Sequence, residues 1–402
     1  MTKEKRTYSI ITLGCKLNFA ESSSLSRRLD EMGYSRISLN KEPDIVLINT
    51  CTVTAQAAGK CRQAIGKAKN LSPSAKIIIT GCYSELEPQV FNEYPEVIIV
   101  TGNKEKSILH KLIDDSFENK TANQNTAAIP DIYPAYSDGN RTRAFIKIQD
   151  GCDYHCAYCI IPKARGKSRS LYISDIIKDV RTIAEKGTKE IVLTGINIGD
   201  FGLNTGEKLS GLISAIDAID GISRIRISSV EPDLFTDDLL QAIIDSKKVL
   251  PHFHLPLQSA STKVLKLMNR RYTIDLFSSC VEKIIKSIPS ACIASDIICG
   301  FPGEGELEYE ESYNYIKESP LAYIHGFTFS EREGTRAASL SEQVEMQERR
   351  RRTRKLQKLS DIKRRGFLEK NIGNKASILF EAGQKNGIMH GLTGNYIKVK
   401  TT

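Results

Sequence analysis

From residue 8 the chain repeats one unit three times: an apolar run, a sharp turn and a helical stretch. Residues 8–12, 45–49 and 77–80 form the apolar runs, with 97–100 as a fourth. Residues 20–32 and about 55–70 read as helices, the first carrying Leu25, Leu29 and Met32 on one face. Strands alternating with helices build βαβ units on a parallel sheet. Such sheets place their ligand sites beyond the carboxyl ends of the strands. The pattern therefore predicts an α/β class and says where its chemistry belongs.

After a polar stretch the alternation resumes. Apolar runs at 143–148, 190–193, 224–227, 252–256, 293–298 and 324–329 are spaced as strands, with helical stretches between them. Six βα-like units predict a partial (β/α) barrel with its chemistry at the strand carboxyl ends. Beyond it, 375–380 and 396–399 read as strands separated by Gly-rich turns, too little for an independent domain of ordinary size. A chain of 402 residues is expected to hold two or three cores. The predicted division is an N-terminal parallel-sheet α/β domain at 1–114, a linker at 115–140, a central partial barrel at 141–340, a basic linking helix at 341–366 and a short C-terminal β segment at 367–402. No run approaches the ~18 apolar residues of a membrane span, and the start MTKEKRTYSIITLGC lacks an export signal. The expected location is the cytoplasm, with no membrane partner.

Formal charge is +9, and residues 341–370 hold 11 Lys and Arg against 5 Asp and Glu. Leu356, Leu359 and Ile362 recur there at helical spacing. One reading is a solvated helix joining two domains. The other is a phosphate-contact surface formed by Arg349, Arg350, Arg351, Arg352, Arg354 and Lys355, since clustered cations gain affinity by releasing condensed counterions.

The cysteines carry the chemical signal. Ten cysteines without an export signal argue against a disulfide framework and direct attention to metals or catalysis. Cys152, Cys156 and Cys159 form C-x3-C-x2-C in DGCDYHCAYCIIP, directly after the first strand of the second block. Three thiolates leave a tetrahedral metal or a cubane cluster one ligand short. Structural zinc normally takes four protein ligands, and no second CxxC or HxxxH lies nearby. A cubane with three cysteines keeps one iron open for a small molecule, and that reading stands above zinc or chance clustering. Cys15, Cys51 and Cys82 each follow one of the first three strands, in TLGC, INTC and ITGC, so the topology can bring them together at one sheet edge. Asn18, Asn49 and Thr50 are placed to support those turns. Cys61, Cys280, Cys292 and Cys299 read as packing residues, and His252 and His254 as core or pocket residues on one strand face.

CDYHCAYC resembles the signature of the radical S-adenosylmethionine superfamily. The resemblance implies that Tyr158 packs near the cofactor adenine, and that an electron from the cluster cleaves the sulfonium to a 5′-deoxyadenosyl radical. With TLGCKLN, INTCTVT, ITGCYSELEP, VLTGINIGDFG, RISSVEPD, HFHLPLQSAS, MNRRYT, SDIICGFPGE and EREGTRA, nearly the whole chain resembles the methylthiotransferase family. The first two motifs are most like the branch called MtaB, which modifies N6-threonylcarbamoyladenosine beside the tRNA anticodon. Relatives act on isopentenyladenosine or on a ribosomal-protein aspartate.

The resemblance implies two [4Fe-4S] clusters, S-adenosyl-L-methionine as methyl donor and radical source, and tRNA as partner through its anticodon stem-loop, with an unidentified electron donor and sulfur source. Gly195, Asn197, Ser228, Glu231, Gln258 and Asp296 correspond to residues that line the cofactor pocket. The family's C-terminal RNA-binding module, TRAM, is represented only by a shortened segment ending YIKVKTT. A non-catalytic iron–sulfur electron carrier is the rival from another class, and predicts no cleavage of S-adenosylmethionine.

Overall fold

The computed structural model describes residues 6–52, 55–117, 129–137, 142–381, 383 and 387–401. The first unit runs β1 (Thr7–Thr12), α1 (Lys16–Glu31), β2 (Ser35–Arg36), β3 (Ile45–Thr50), α2 (Ala55–Leu71), β4 (Lys76–Gly81), α3 (Cys82–Leu86), β5 (Val97–Val100) and α4 (Leu109–Phe117). Its strands form one parallel sheet in the order β2-β1-β3-β4-β5. Both faces are covered: Ile48, Ile77 and Ile79 pack under α2, while Ile45, Leu47 and Ile78 pack with Leu25, Leu29 and Leu109. Burial on both sides explains why β3 is apolar without alternation.

In the second unit, β6 (Arg143–Lys147) is followed by a short hairpin-like pair, β7 (Gln149–Asp150) and β8 (Arg169–Ser170), with α5 (Ile161–Arg165) between them. Then come α6 (Ile173–Glu185), β9 (Glu190–Thr194), α7 (Leu209–Asp217), β10 (Arg224–Ile227), α8 (Asp237–Asp245) and β11 (His252–His254). The run ends with α9 (Thr262–Leu267), α10 (Ile274–Ser287), β12 (Cys292–Cys299), α11 (Glu306–Glu318) and β13 (Tyr323–Thr328). Parallel pairing joins β6, β9 and β10, and separately β11, β12 and β13, so the six predicted strands form two curved halves. Outward residues such as Ile146, Leu193 and Ile225 pack beneath the helices. On the inner face Phe145 and Val192 meet Phe19 and Ala20 of α1, so a helix of the first unit fills part of the barrel's open side.

Three expectations need correction. Part of the predicted linker is packed: within 129–137, Tyr133 and Ala135 are buried, and Lys147 donates its backbone N–H to Ala135 O at 2.8 Å. The basic segment forms α12 (Met346–Lys370), which packs along β13 and β12 instead of bridging free space. Leu356 and Leu359 are buried there, whereas Ile362 is 67% exposed. The C-terminal segment is an antiparallel sheet of β14 (Ile378–Phe380), β15 (Met389–Thr393) and β16 (Lys398–Thr401), of which β15 was not predicted. Tyr396 sits in the β15–β16 turn at φ 67°, not in a strand. No described helix is long and apolar enough to cross a membrane.

Candidate cluster sites and their junction

Cys15, Cys51 and Cys82 follow β1, β3 and β4, which are adjacent in the sheet. The three turns are tied together by the polar residues between them. Asn18 donates through Nδ2 to Leu13 O at 2.8 Å and Thr50 O at 3.1 Å. Asn49 donates to Asn18 O at 3.1 Å, and Thr50 Oγ1 donates to Thr80 O at 2.7 Å. Gly14 lies at φ 92°, and a Cβ there would stand 2.8 Å from Cys51 Sγ, so the first two turns meet in direct contact. Cys15 is exposed at this edge, with neighbouring protein still desolvating its thiol. Burial raises its thiol pKa, with the Arg165 charge opposing.

Cys61 supports this edge from below. Its Sγ lies 3.5 Å from the Cys51 backbone N and 3.3 Å from Cys51 O. Burial pushes its thiol up to about 11.

The second triad lies on the loop between β7 and α5. Burial pushes Cys152 up to about 11 and Cys159 up to about 12, and raises Cys156 against the opposing charge of Arg270. Arg270 donates to Cys156 Sγ at 3.0 Å and to Tyr158 Oη at 3.2 Å, and pairs with Glu231. Burial still holds Glu231 up at about 7. Tyr158 packs edge-on to Phe301 at 6.3 Å between ring centroids.

Of the other predicted pocket residues, Asn197 and Ser228 each carry a buried polar atom without a hydrogen-bond partner, as do Asp233 and Arg270. Orphaned polar atoms at barrel strand ends suit a polar ligand. Gly195 has a structural reason: a Cβ would meet Gln149 Oε1 at 2.7 Å, the atom that accepts from the backbone N–H groups of Ile196 and Asn197. Gln258 is held by backbone pairing, its N–H to Asp296 O at 2.7 Å. The Asp296 carboxylate meets His254 Nε2 at 3.0 Å, and His254 Nδ1 meets Ser229 Oγ at 2.8 Å.

Among the described residues, three or more His, Cys, Asp or Glu ligating atoms converge within 4.8 Å only at His254, Asp296 and His325. Tetrahedral zinc holds sulfurs about 3.8 Å apart, from Zn–S near 2.3 Å. Neither cysteine triad is contracted to that size. Three cysteine sulfurs are the donor set that a cubane cluster with one open iron would take.

Sequence reasoning missed the junction between the two sites. Arg165, six residues past Cys159, donates through Nε to Cys82 Sγ at 3.3 Å and through Nη2 to Asn18 Oδ1 at 2.7 Å. Its Nη1 lies 2.9 Å from Asp150 and 3.2 Å from Glu21. Glu21 also pairs with Lys106 at 2.7 Å and Lys147 at 3.0 Å. Burial opposes ionisation of Glu21, but Arg165, Lys106 and Lys147 outweigh it and hold the carboxyl well below its ordinary range. Asn103 adds a second link, donating to Cys82 Sγ at 3.6 Å and Ala164 O at 2.8 Å. The available signal was a basic run, PKARGKSR, beside the cysteine loop, and a Glu directly before the three serines of a helix.

The predicted RNA-contact set is corrected in part. Arg349 and Arg352 are only 4% and 5% exposed. Arg349 pairs with Glu331, and Arg352 with Glu304, Glu306 and Glu348. Their side chains face inward because they lie three apart on the helix face that covers the barrel. Arg351 is exposed but paired with Glu306 and Glu348, and Lys355 pairs with Glu310. Arg350 and Arg354 are exposed.

Residues 7–102 match the model of the Uncharacterized protein family UPF0004, and residues 146–316 match the Radical SAM superfamily. The threonylcarbamoyladenosine tRNA methylthiotransferase MtaB of Aquifex aeolicus is 36% identical over 399 residues, covering 97% of this chain and 95% of its own. The chain belongs to the radical S-adenosylmethionine methylthiotransferase family. The Bacillus subtilis MtaB is also 36% identical, with 98% and 90% covered. A tRNA-2-methylthio-N(6)-dimethylallyladenosine synthase of Thermobifida fusca is 31% identical, with 95% and 79% covered. Among solved structures, the radical S-adenosylmethionine methyltransferase TsrM of Kitasatospora setae shares the fold at a TM-score of 0.61 and 14% identity, with 83% and 77% covered. Membership makes this chain a transferase that uses an iron–sulfur cluster and S-adenosylmethionine.

Proposed function

We propose that this chain places a methylthio group on C2 of N6-threonylcarbamoyladenosine in the anticodon stem-loop of tRNA. The carrying observation is the Arg165 bridge, which joins the loop of Cys152, Cys156 and Cys159 to the edge bearing Cys15, Cys51 and Cys82. Two three-thiol sites joined in this way suit a reaction with a radical step at one and sulfur transfer at the other. On this reading each triad holds a cubane cluster, and S-adenosylmethionine lies beside Tyr158, Asn197, Ser228 and Glu231. When bound, cluster and cofactor supply reductive sulfonium cleavage, the chemistry that the protein itself lacks.

The chain's own residues bind and orient. Arg270 aligns Tyr158, Cys156 and Glu231, while Arg165 and Asn103 direct N–H groups at Cys82 Sγ. Such hydrogen bonds to cluster sulfurs tune potential and fix geometry. Three MtaB relatives at 36% identity favour threonylcarbamoyladenosine over the dimethylallyl substrate named for relatives at 31–32%, although one MtaB relative also stands at 32%. The test is mass spectrometry of tRNA nucleosides from cells with and without this protein. Loss of the 2-methylthio form of threonylcarbamoyladenosine supports the reading; loss of only the dimethylallyl form would overturn it.

A further inference from the structure

Lys16 follows Cys15 directly and opens α1. A cation is unfavourable there, because the unpaired N–H groups give a helix N-terminus partial positive charge. No acidic residue lies in the first turn of α1 to compensate. Lys16 is exposed and has no hydrogen-bond or ion-pair partner among the described residues. The groups whose charges act on it most are Tyr396, Arg143 and Arg226. Three parts of the molecule thus meet at this point: the first unit, the barrel and the C-terminal turn.

The charge balance of this corner is lopsided. Glu190 is the carboxylate at its centre, 2.7 Å from Arg224, 3.0 Å from Arg226 and 3.9 Å from Arg143. Three arginines thus share one anion, and Lys16 adds a further positive charge beside Arg143 and Arg226. Arg224 and Arg226 are also engaged by backbone carbonyls of Leu392, Thr393 and Gly394. Arg143 holds Glu190 only loosely and faces the Tyr396 hydroxyl. The groups left to receive a ligand are therefore Lys16 and the Arg143–Tyr396 pair, and the ligand they suit is an anion.

We propose that Lys16, backed by Arg143 and Tyr396, receives the carboxylate of the threonylcarbamoyl group. The inference rests on the substrate reading above and adds the residue that enforces it. In adenine, C2 and the carbon bearing N6 both flank N1. A base presenting C2 to the Cys15, Cys51 and Cys82 edge therefore carries its N6 substituent to the rim of that edge, where Lys16 stands. A dimethylallyl group has no charge to offer this lysine.

Three anticodon stem-loops test the assignment: one with the threonyl carboxylate free, one with it as methyl ester, and one with a dimethylallyl group. Binding is read by filter retention, and methylthiolation by mass spectrometry, on the anaerobically reconstituted full chain. The wild type is expected to use the ester about 10- to 100-fold less efficiently than the acid, the scale of one charge-assisted hydrogen bond. Lys16→Met should bring acid and ester to the same low level, and Lys16→Arg should restore the preference. Lys16→Gln carries the same comparison if the Met variant loses iron. Equal use of acid and ester by the wild type would overturn the Lys16 assignment alone. So would a neutral variant that keeps the full preference, or one that weakens both stem-loops alike while the preference persists, which is the signature of a phosphate contact. Modification confined to the dimethylallyl stem-loop would overturn the substrate reading itself.

Discussion

Arg165 Nε stands 3.3 Å from Cys82 Sγ, so the last residue of α5, the helix that follows the Cys152–Cys159 loop, touches a thiol of the other triad. The contact makes the two triads neighbours across a domain boundary although 70 positions separate Cys82 from Cys152.

The two triads should nevertheless be separable by mutation. Two four-iron clusters imply about eight irons per reconstituted chain. Replacing Cys152, Cys156 and Cys159 with Ala should halve the iron and abolish 5′-deoxyadenosine formation. Replacing Cys15, Cys51 and Cys82 should remove the other half and stop methylthiolation while cofactor cleavage survives. Iron analysis and product assays on both triple variants check this; a barrel-triad variant that still cleaves the cofactor would refute the site.

Acid should loosen the junction. Burial works against the Glu21 carboxylate, but Arg165, Lys106 and Lys147 hold its folded pKa well below the ordinary value. A depressed carboxyl contributes stability that is complete above its unfolded pKa, about 4.3, and is lost as pH falls through the folded value. Glu21→Gln should therefore lower stability near neutral pH and flatten its decline on acidification. Removing one partner of a buried charge set costs about 3–5 kcal/mol. Urea unfolding across pH 3–7 measures both effects.

On α12, charge should divide by burial. Neutralising Arg350 and Arg354, if they contact phosphate, should lower the dependence of log tRNA affinity on log salt by about 0.7–0.9 per contact. Arg352→Gln should instead lower the melting temperature, since it leaves buried Glu304 without its cation. A salt series by filter binding beside thermal melts separates the two; an unchanged slope in the Arg350 and Arg354 variant would move RNA recognition to another surface.

Cys61→Ala should keep the full iron content and lose about 1–2 kcal/mol of stability, because its sulfur packs against the Cys51 backbone. A fall in iron would instead make Cys61 a ligand.

The βα alternation and the placement of Cys15, Cys51 and Cys82 after adjacent strands were legible in the sequence, because strand period, turn residues and cysteine position agree locally. The Glu21, Lys147 and Arg165 network was not. Its members lie 126 and 144 positions apart in sequence, and a charged residue reads as solvated until a fold buries it with partners. Arg349 and Arg352 failed for the opposite reason: a dense basic run hides which members fall on the inward stripe. Strand β15 was missed because MHGLT is short and carries a central glycine.

The position of α12 bears on how this enzyme should be dissected. With Leu356 and Leu359 buried and Ser360 bonded to both the N–H and the C=O of Ile324, the helix is the cover of the barrel's last strand. A truncation designed to remove an RNA-binding tail by cutting before Met346 would bare β13 as an open apolar edge, which invites aggregation. Loss of activity in such a fragment would report a damaged catalytic domain, so a deletion that isolates the C-terminal sheet must begin after Lys370.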